Sequence, residues 1–267
     1  MKNLTMSVFL IMASGCEDSN QLPDRDYQLV WSDEFRGITG DAPDTTNWTF
    51  DIGTGENGWG NEELQYYTSR PENVSIDGKG NLVITAIEES FEGSNYTSAR
   101  IKTKGLREQT YGRFEARIKT PFGQGLWPAF WLLGADIDEV GWPQTGEIDV
   151  MELRGQEPDV ISGAIHGPGY SADDAITENF YLFGERFDTA FHVFAIEWGP
   201  NFIDFFVDDR LYQRLSPDDL PEESDWVFDK DFFILLNVAV GGTFVGFPSN
   251  NTRFPQTMIV DYVRVYN

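Results

Sequence analysis

Three carboxylates fall within one short stretch, Gly146-Glu147-Ile148-Asp149-Val150-Met151-Glu152, which otherwise has the apolar character of a β-strand. Side chains two apart on a regular strand share a face, so Glu147 and Asp149 belong together. Glu152 lies five positions after Glu147 and would point the other way. A β-bulge at Val150-Met151 sets two residues against one on the neighbouring strand and returns Glu152 to the face of the other two. Like charges at such range raise one another's pKa, and carboxylates held this way cluster at functional sites. Glycoside hydrolysis uses such a pair. One carboxylate attacks the anomeric carbon and a carboxylic acid protonates the departing oxygen, the two about 5 to 5.5 Å apart where configuration is retained. The charge on the first keeps the second protonated. An exposed acidic strand face, or a calcium site, would use the same residues, and at this point all three readings stand.

A second signal precedes the acids. In Leu126-Trp127-Pro128-Ala129-Phe130-Trp131-Leu132-Leu133 the two tryptophans are four apart and so share one face of a strand. Indole rings stack on the apolar C–H faces of pyranose sugars, although the same pair would also serve as core. Only a short loop separates this segment from the acids, so the two strands can be neighbours in one sheet.

The elements that must position these residues are strands. Short runs of alternating apolar and polar residues, punctuated by Gly, Pro, Asn and Asp, recur from Tyr27 to Asn267. Strands are expected over 82–87, 112–119, 127–133, 147–152, 192–198, 202–207, 232–238 and 259–266, with Gly199-Pro200-Asn201 joining the fifth and sixth as a hairpin. No helical stretch of comparable strength, internal repeat or low-complexity segment occurs. So many strands, several apolar on both faces, predict an all-β fold of two stacked sheets, a sandwich or jelly roll. The 267 residues contain no interior linker, which favours one large domain. Aromatic residues at 15% fill a core and leave flat side chains over for binding. The balance of 44 acidic against 19 basic residues, a formal charge of −25, repels nucleic acid, anionic headgroups and sulfated polymers but not a neutral one. The same acidity also serves solubility.

The N-terminus reads as a targeting segment: Lys2, an apolar stretch over 4–13, then Ala13-Ser14-Gly15-Cys16. It is too short to span a bilayer as a helix. The single cysteine follows small residues, as in the lipobox of bacterial lipoproteins, where it is acylated. Position 13 departs from the usual leucine, which keeps ordinary secretion open. The expected organisation is a lipoprotein signal peptide over 1–16 ending at lipidated Cys16, a flexible polar tether over 17–26, and a folded domain over 27–267. That domain is expected outside the cytoplasm, at the outer membrane or cell surface or else secreted, and without a disulfide.

The acid motif, Trp127-Pro128-Ala129-Phe130-Trp131 and Trp59-Gly60-Asn61-Glu62-Glu63-Leu64-Gln65-Tyr66-Tyr67-Thr68 together resemble glycoside hydrolase family 16, on its laminarinase-like branch. Ala164-Ile165-His166-Gly167-Pro168, the stretch 192–198 and Leu236-Asn237-Val238-Ala239-Val240-Gly241-Gly242 match as well, and the resemblance runs from about residue 31 to 266. It implies a concanavalin-like jelly roll of two curved antiparallel sheets whose concave face is an open substrate cleft, suited to attack inside a polymer. It makes 27–267 a glycoside hydrolase catalytic domain, Glu147 the nucleophile, Glu152 the acid/base and Asp149 the residue that hydrogen-bonds and tunes the nucleophile. Met151 matches the bulged form of the motif. Members without it include enzymes restricted to mixed-linkage glucans.

By the same resemblance Trp127 and Trp131 wall the subsite of the sugar to be cleaved, and His166 stands beside the acid/base. On its own, His166 would read as a turn histidine satisfied by backbone. Asn61 and Arg100 match glucan contacts on the non-reducing side, and Trp226 is a further platform. A structural calcium is implied at Glu34, the carbonyl of Gly78 and Asp261, since oxygen ligands suit that ion; Asp261 would equally serve as an edge charge. No catalytic cofactor is implied. The expected activity is retaining endo-hydrolysis of laminarin-type β-1,3-glucan, with mixed β-1,3-1,4-glucan as a second substrate. The alternatives are the same scaffold acting as an agarase, carrageenase or transglycosylase, or a non-catalytic glucan-binding lipoprotein. A monomer is expected, with a neutral β-glucan as partner, no nucleic acid, and membrane contact only through the N-terminal lipid.

Overall fold

The computed structural model of the protein describes residues 25–267, so Cys16, the segment 1–16 and most of 17–26 lie outside the described residues. Arg25, expected in the tether, is docked instead. Its Nη1 lies 2.6 Å from Glu197 Oε2 and 3.2 Å from Asp204 Oδ2, and its guanidinium stands 4.0 Å above the Phe202 ring. Two acids and an aromatic face give the cation partners, so the fold begins before Tyr27.

The chain forms a sandwich of two large sheets. The front sheet runs, in order, Ile176–Tyr181, Val160–His166, Glu147–Glu152, Leu126–Gly134, Phe232–Val240, Arg100–Lys102 and Thr49–Asp51. The back sheet centres on Gly112–Lys119, flanked by His192–Gly199 and the terminal strand Gln256–Tyr266, and continues through Leu82–Phe91. The first strand, Leu29–Asp33, pairs with the last, which closes the jelly roll from both chain ends. Every expected strand is present, some longer by a few residues. Among the described residues the one departure from antiparallel pairing is Gln65–Tyr67 beside Ser94–Ser98. Its cause is direction: the short strand leads into Val74–Ile76, which runs antiparallel to Leu82–Phe91, as Ser94–Ser98 does.

Between the sheets lies one continuous apolar core that includes Phe114, Phe130, Ile148, Ile165, Phe194, Ile196, Trp198 and Phe205, all at most 1% exposed. In Phe232–Val240 every residue is buried, the mark of a central strand covered on both faces. The strand Glu147–Glu152 contributes Ile148, Val150 and Met151 to this core.

The two consecutive core residues are a bulge. Opposite the strand Leu126–Gly134 the register runs Leu132 to Ile148, Trp131 to Asp149, then Phe130 to Met151, passing over Val150. On the other flank Ala164 faces Asp149 and Ser162 faces Glu152, so Val150 and Met151 share the place of Gly163. Gly163 suits that place because a Cβ there would stand 2.3 Å from the Tyr212 hydroxyl. Met151 is fully buried at the bulge, so Met151→Ala should cost about 2 to 5 kcal/mol of folding free energy, read from denaturant unfolding, as a large-to-small core change does.

Candidate active site

The bulge decides which face the acids take. Leu133, Trp131 and Ala129 alternate on one face of their strand and stand opposite Glu147, Asp149 and Glu152. All three carboxylates therefore face away from the core, as do His166, Ala164 and Ser162 on the next strand. They open into a groove of about 620 Å³ along the front sheet, whose lining also includes Trp59, Asn61, Arg100, Trp127, Trp131 and Trp142.

Each glutamate is held by one indole. Trp127 Nε1–H donates to Glu152 Oε1 at 2.8 Å, and Trp142 Nε1–H donates to Glu147 Oε2 at 2.9 Å. Trp131 instead donates to Asn237 Oδ1 at 2.8 Å, which fixes its ring beside the acids. Trp142 follows Gly141 in a loop and is a site residue the sequence reading missed; its signal was an isolated tryptophan just ahead of the acid strand. Asn237 and Trp59 stood inside motifs already noted, without an assigned role.

His166 binds the cluster together. Its Nδ1 accepts the Ala172 backbone N–H at 3.1 Å. In the neutral ring the proton then belongs on Nε2, which lies 3.0 Å from Asp149 Oδ2 and 4.0 Å from Glu147 Oε1. These three side chains bring ligand-type atoms within 4.8 Å of one another. The ring nitrogen facing the carboxylates is the protonated one, however, so it offers a proton rather than a lone pair to a cation. The backbone satisfies one nitrogen, and the other stands nearest Asp149 and next Glu147, on the nucleophile's side of the cluster and not, as expected, beside Glu152.

Burial first, and then the neighbouring Asp149 carboxylate, push Glu147 and Glu152 up to about 8. Asp149 is pushed up to about 7 by burial, against a hydrogen bond with Glu147. Three carboxyl groups this close titrate as a set. Of the three, Asp149 is raised to the lowest value, so near neutral pH it stands as the carboxylate beside carboxylic acids, and Glu152 keeps the proton that a donor requires.

Arg100 and Asn61 lie at the same groove, one strand and one loop beyond Asn237. Arg100 Nε donates to Asp51 Oδ2 at 2.6 Å, and its guanidinium covers the Trp59 ring at 3.9 Å. Trp59 adopts a left-handed backbone with φ 57°, a costly conformation for a bulky residue. Its buried N–H meets no acceptor among the described residues. Asn61 Nδ2 lies 3.4 Å from Glu63 Oε1.

Trp226 is a correction. It does not line the groove but packs half-buried against the core, edge-on to Phe228 with centroids 4.9 Å apart. An isolated tryptophan in a loop serves either purpose, and here the apolar core captured it. The residues matched to calcium lie elsewhere. The Glu34 carboxylate is held at both oxygens by Arg264, at 2.8 and 3.0 Å. Asp261 Oδ2 accepts from Arg117 at 2.5 Å, and Asp261 sits where the terminal strand shifts register. Arginine thus already occupies the Glu34 side chain. Asp261 keeps a second carboxylate oxygen beyond the one that meets Arg117.

The family profile described as Glycosyl hydrolases family 16 matches residues 61–253. The chain is 44% identical over 261 residues to a beta-glucanase of Rhodothermus marinus, covering 94% of this chain and 88% of that one. It is 37% identical over 258 residues to glucan endo-1,3-beta-glucosidase A1 of Niallia circulans; that match covers 89% of this chain and 37% of the relative, so the chain spans little more than a third of it. Among solved structures, the laminarinase catalytic domain from Thermotoga maritima MSB8 superposes with a TM-score of 0.86 at 46% identity, over 91% of this chain and 99% of that chain.

A carboxyl group whose folded pKa is raised adds stability below its unfolded value and loses it as pH climbs to the folded value. For Glu152 that window runs from 4.5 to about 8. Glu152→Gln should therefore match the parent in thermal unfolding at the acid end of that window and exceed it at the alkaline end; a constant offset between the two proteins would contradict the shift. With two histidines in the chain, ¹⁵N NMR of the neutral imidazole rings should show His166 carrying its proton on Nε2. An Nδ1–H signal would overturn the hydrogen bond from Ala172.

Proposed function

The chain belongs to glycosyl hydrolase family 16, and from that membership we propose that it cleaves internal linkages of laminarin-type β-1,3-glucan with retention of configuration. Mixed β-1,3-1,4-glucan is the second substrate. The bulged register that turns Glu152 to the side of Glu147 supports this reading above all else. Glu147 attacks the anomeric carbon while Glu152 gives its proton to the departing oxygen, leaving a sugar bonded to Glu147. Glu152, now ionised, takes a proton from water, which displaces that sugar. Asp149 and the Trp142 N–H hold the Glu147 carboxylate in position, and the Trp127 N–H holds Glu152.

The substrate class follows from charge and surface. A chain of formal charge −25 repels sulfated polymers, which disfavours a carrageenase. The indoles of Trp59, Trp127, Trp131 and Trp142 offer apolar faces to a neutral sugar. Both glutamates are present and face the groove, which weighs against a purely binding role. Export, with lipid attachment at Cys16, and a monomeric state are the accompanying proposals. A structural calcium at Glu34, the Gly78 carbonyl and Asp261 is a further proposal; it would take no part in the chemistry, and it would have to compete with Arg264 for the Glu34 carboxylate.

Glu147→Ala should lower kcat on laminarin by ~10³-fold or more, as loss of a covalent nucleophile does, with the circular dichroism spectrum unchanged. Proton NMR of the first products from the parent enzyme should show the β-anomer. Comparable turnover by the variant, or α-anomer formed first, would refute the assignment.

A further inference from the structure

We infer that the groove continues past Glu152 onto the outer strand Ile176–Tyr181, where Asn179 and Tyr181 hold the portion of the glucan chain that leaves; this rests on the glucanase reading above. The register carries the face outward without a break. Glu152 stands opposite Ser162, Ser162 opposite Asn179, and Val160 opposite Tyr181. Alternation along the outer strand then gives Thr177, Asn179 and Tyr181 to the groove side, while Ile176 and Phe180 pack against the core. Thr177 and Ser162 already line the groove.

The chemistry of this extension suits a sugar. Ser162 Oγ donates to Asn179 Oδ1 at 2.7 Å, and Asn179 Nδ2 reaches the Tyr181 hydroxyl at 3.5 Å. The row is uncharged and presents a flat ring 51% exposed on the groove side of a sheet edge. A neutral pyranose can stack on that ring while its hydroxyls meet the amide and the hydroxyls. Two strand spacings of ~4.8 Å separate the acid strand from this one, which sets the row beyond the sugar that Glu152 releases. Arg100, Trp59 and Asn61 lie on the opposite side of the acids, so the two halves of the chain are held by different strands.

The test compares β-1,3-linked glucose oligomers of two lengths, a heptasaccharide that reaches the outer strand and a disaccharide, whose single leaving sugar does not. Loss of the stacked ring in Tyr181→Ala should lower the ratio of heptasaccharide to disaccharide kcat/KM ~10-fold, and Tyr181→Phe, which keeps the ring, should hold it within ~2-fold. A ratio unchanged by Tyr181→Ala overturns the proposal, as does a Tyr181→Phe loss equal to that of alanine. Failure of the parent protein to cleave either oligomer would instead remove the glucanase reading, so the two failures are distinguishable.

Discussion

The placement of one extra residue governs the rest of the molecule. In a regular strand from Glu147 to Glu152, Glu152 would point into the core beside Ile148. A carboxylate without partners in such a place costs several kcal/mol even after relaxation. The bulge resolves that conflict by sending both Val150 and Met151 inward, where each is at most 1% exposed, and returning Glu152 to the groove. Burying the methionine side chain contributes about 1.5 to 3 kcal/mol in the same rearrangement. Apolar burial and carboxylate solvation thus favour one register together, and that register is also the one that confronts the two glutamates.

The donors around the acids are chosen in a way that preserves their raised pKa values. Trp127 and Trp142 each donate an indole N–H to a glutamate oxygen, and His166 Nε2 approaches Asp149 Oδ2 to 3.0 Å. An indole N–H orients an oxygen without carrying the full charge that would pull its proton off. The arginines nearby are committed elsewhere, Arg100 to Asp51 and Arg154 to Glu157. Had either arginine paired with Glu152, the acid would lose its proton well below neutral pH and with it the ability to protonate a leaving group. Desolvation therefore remains the largest influence on all three carboxyl groups.

Much of this was legible because the informative residues lie on strands, where alternation converts spacing into direction. The three acids, the bulge at Val150-Met151 and the shared face of Trp127 and Trp131 could all be read from parity. Trp142 could not, since it sits in a loop whose path is set by its own turn and by contact with Glu147. Trp226 shows the reverse error, for a loop tryptophan reads alike whether it faces solvent or the Phe228 ring. The strands Val160–His166 and Ile176–Tyr181 were missed as strands: Gly163 interrupts one, and the other is polar along an exposed edge. Both errors arise where tertiary contact rather than local pattern decides the outcome.

The two halves of the groove are built with unequal burial, and retaining chemistry has a use for the inequality. On the Arg100 side the wall rests on buried polar groups: Glu63 accepts from Gln65 and Tyr67, and Gln65 in turn accepts the Val240 backbone N–H at 2.7 Å. On the Asn179 side the wall is a single edge strand with exposed side chains. In the proposed mechanism the sugar bonded to Glu147 must stay in register through two chemical steps, whereas the other fragment must depart after the first so that water can enter. A buried wall suits the fragment that is retained, because misplacement by an ångström is costly to a second displacement. An exposed, uncharged row suits the fragment that leaves, because contacts made there with a small desolvation penalty are also broken quickly. The order of strands in the front sheet, from Thr49–Asp51 at one margin to Ile176–Tyr181 at the other, thus gives the groove a direction as well as a floor.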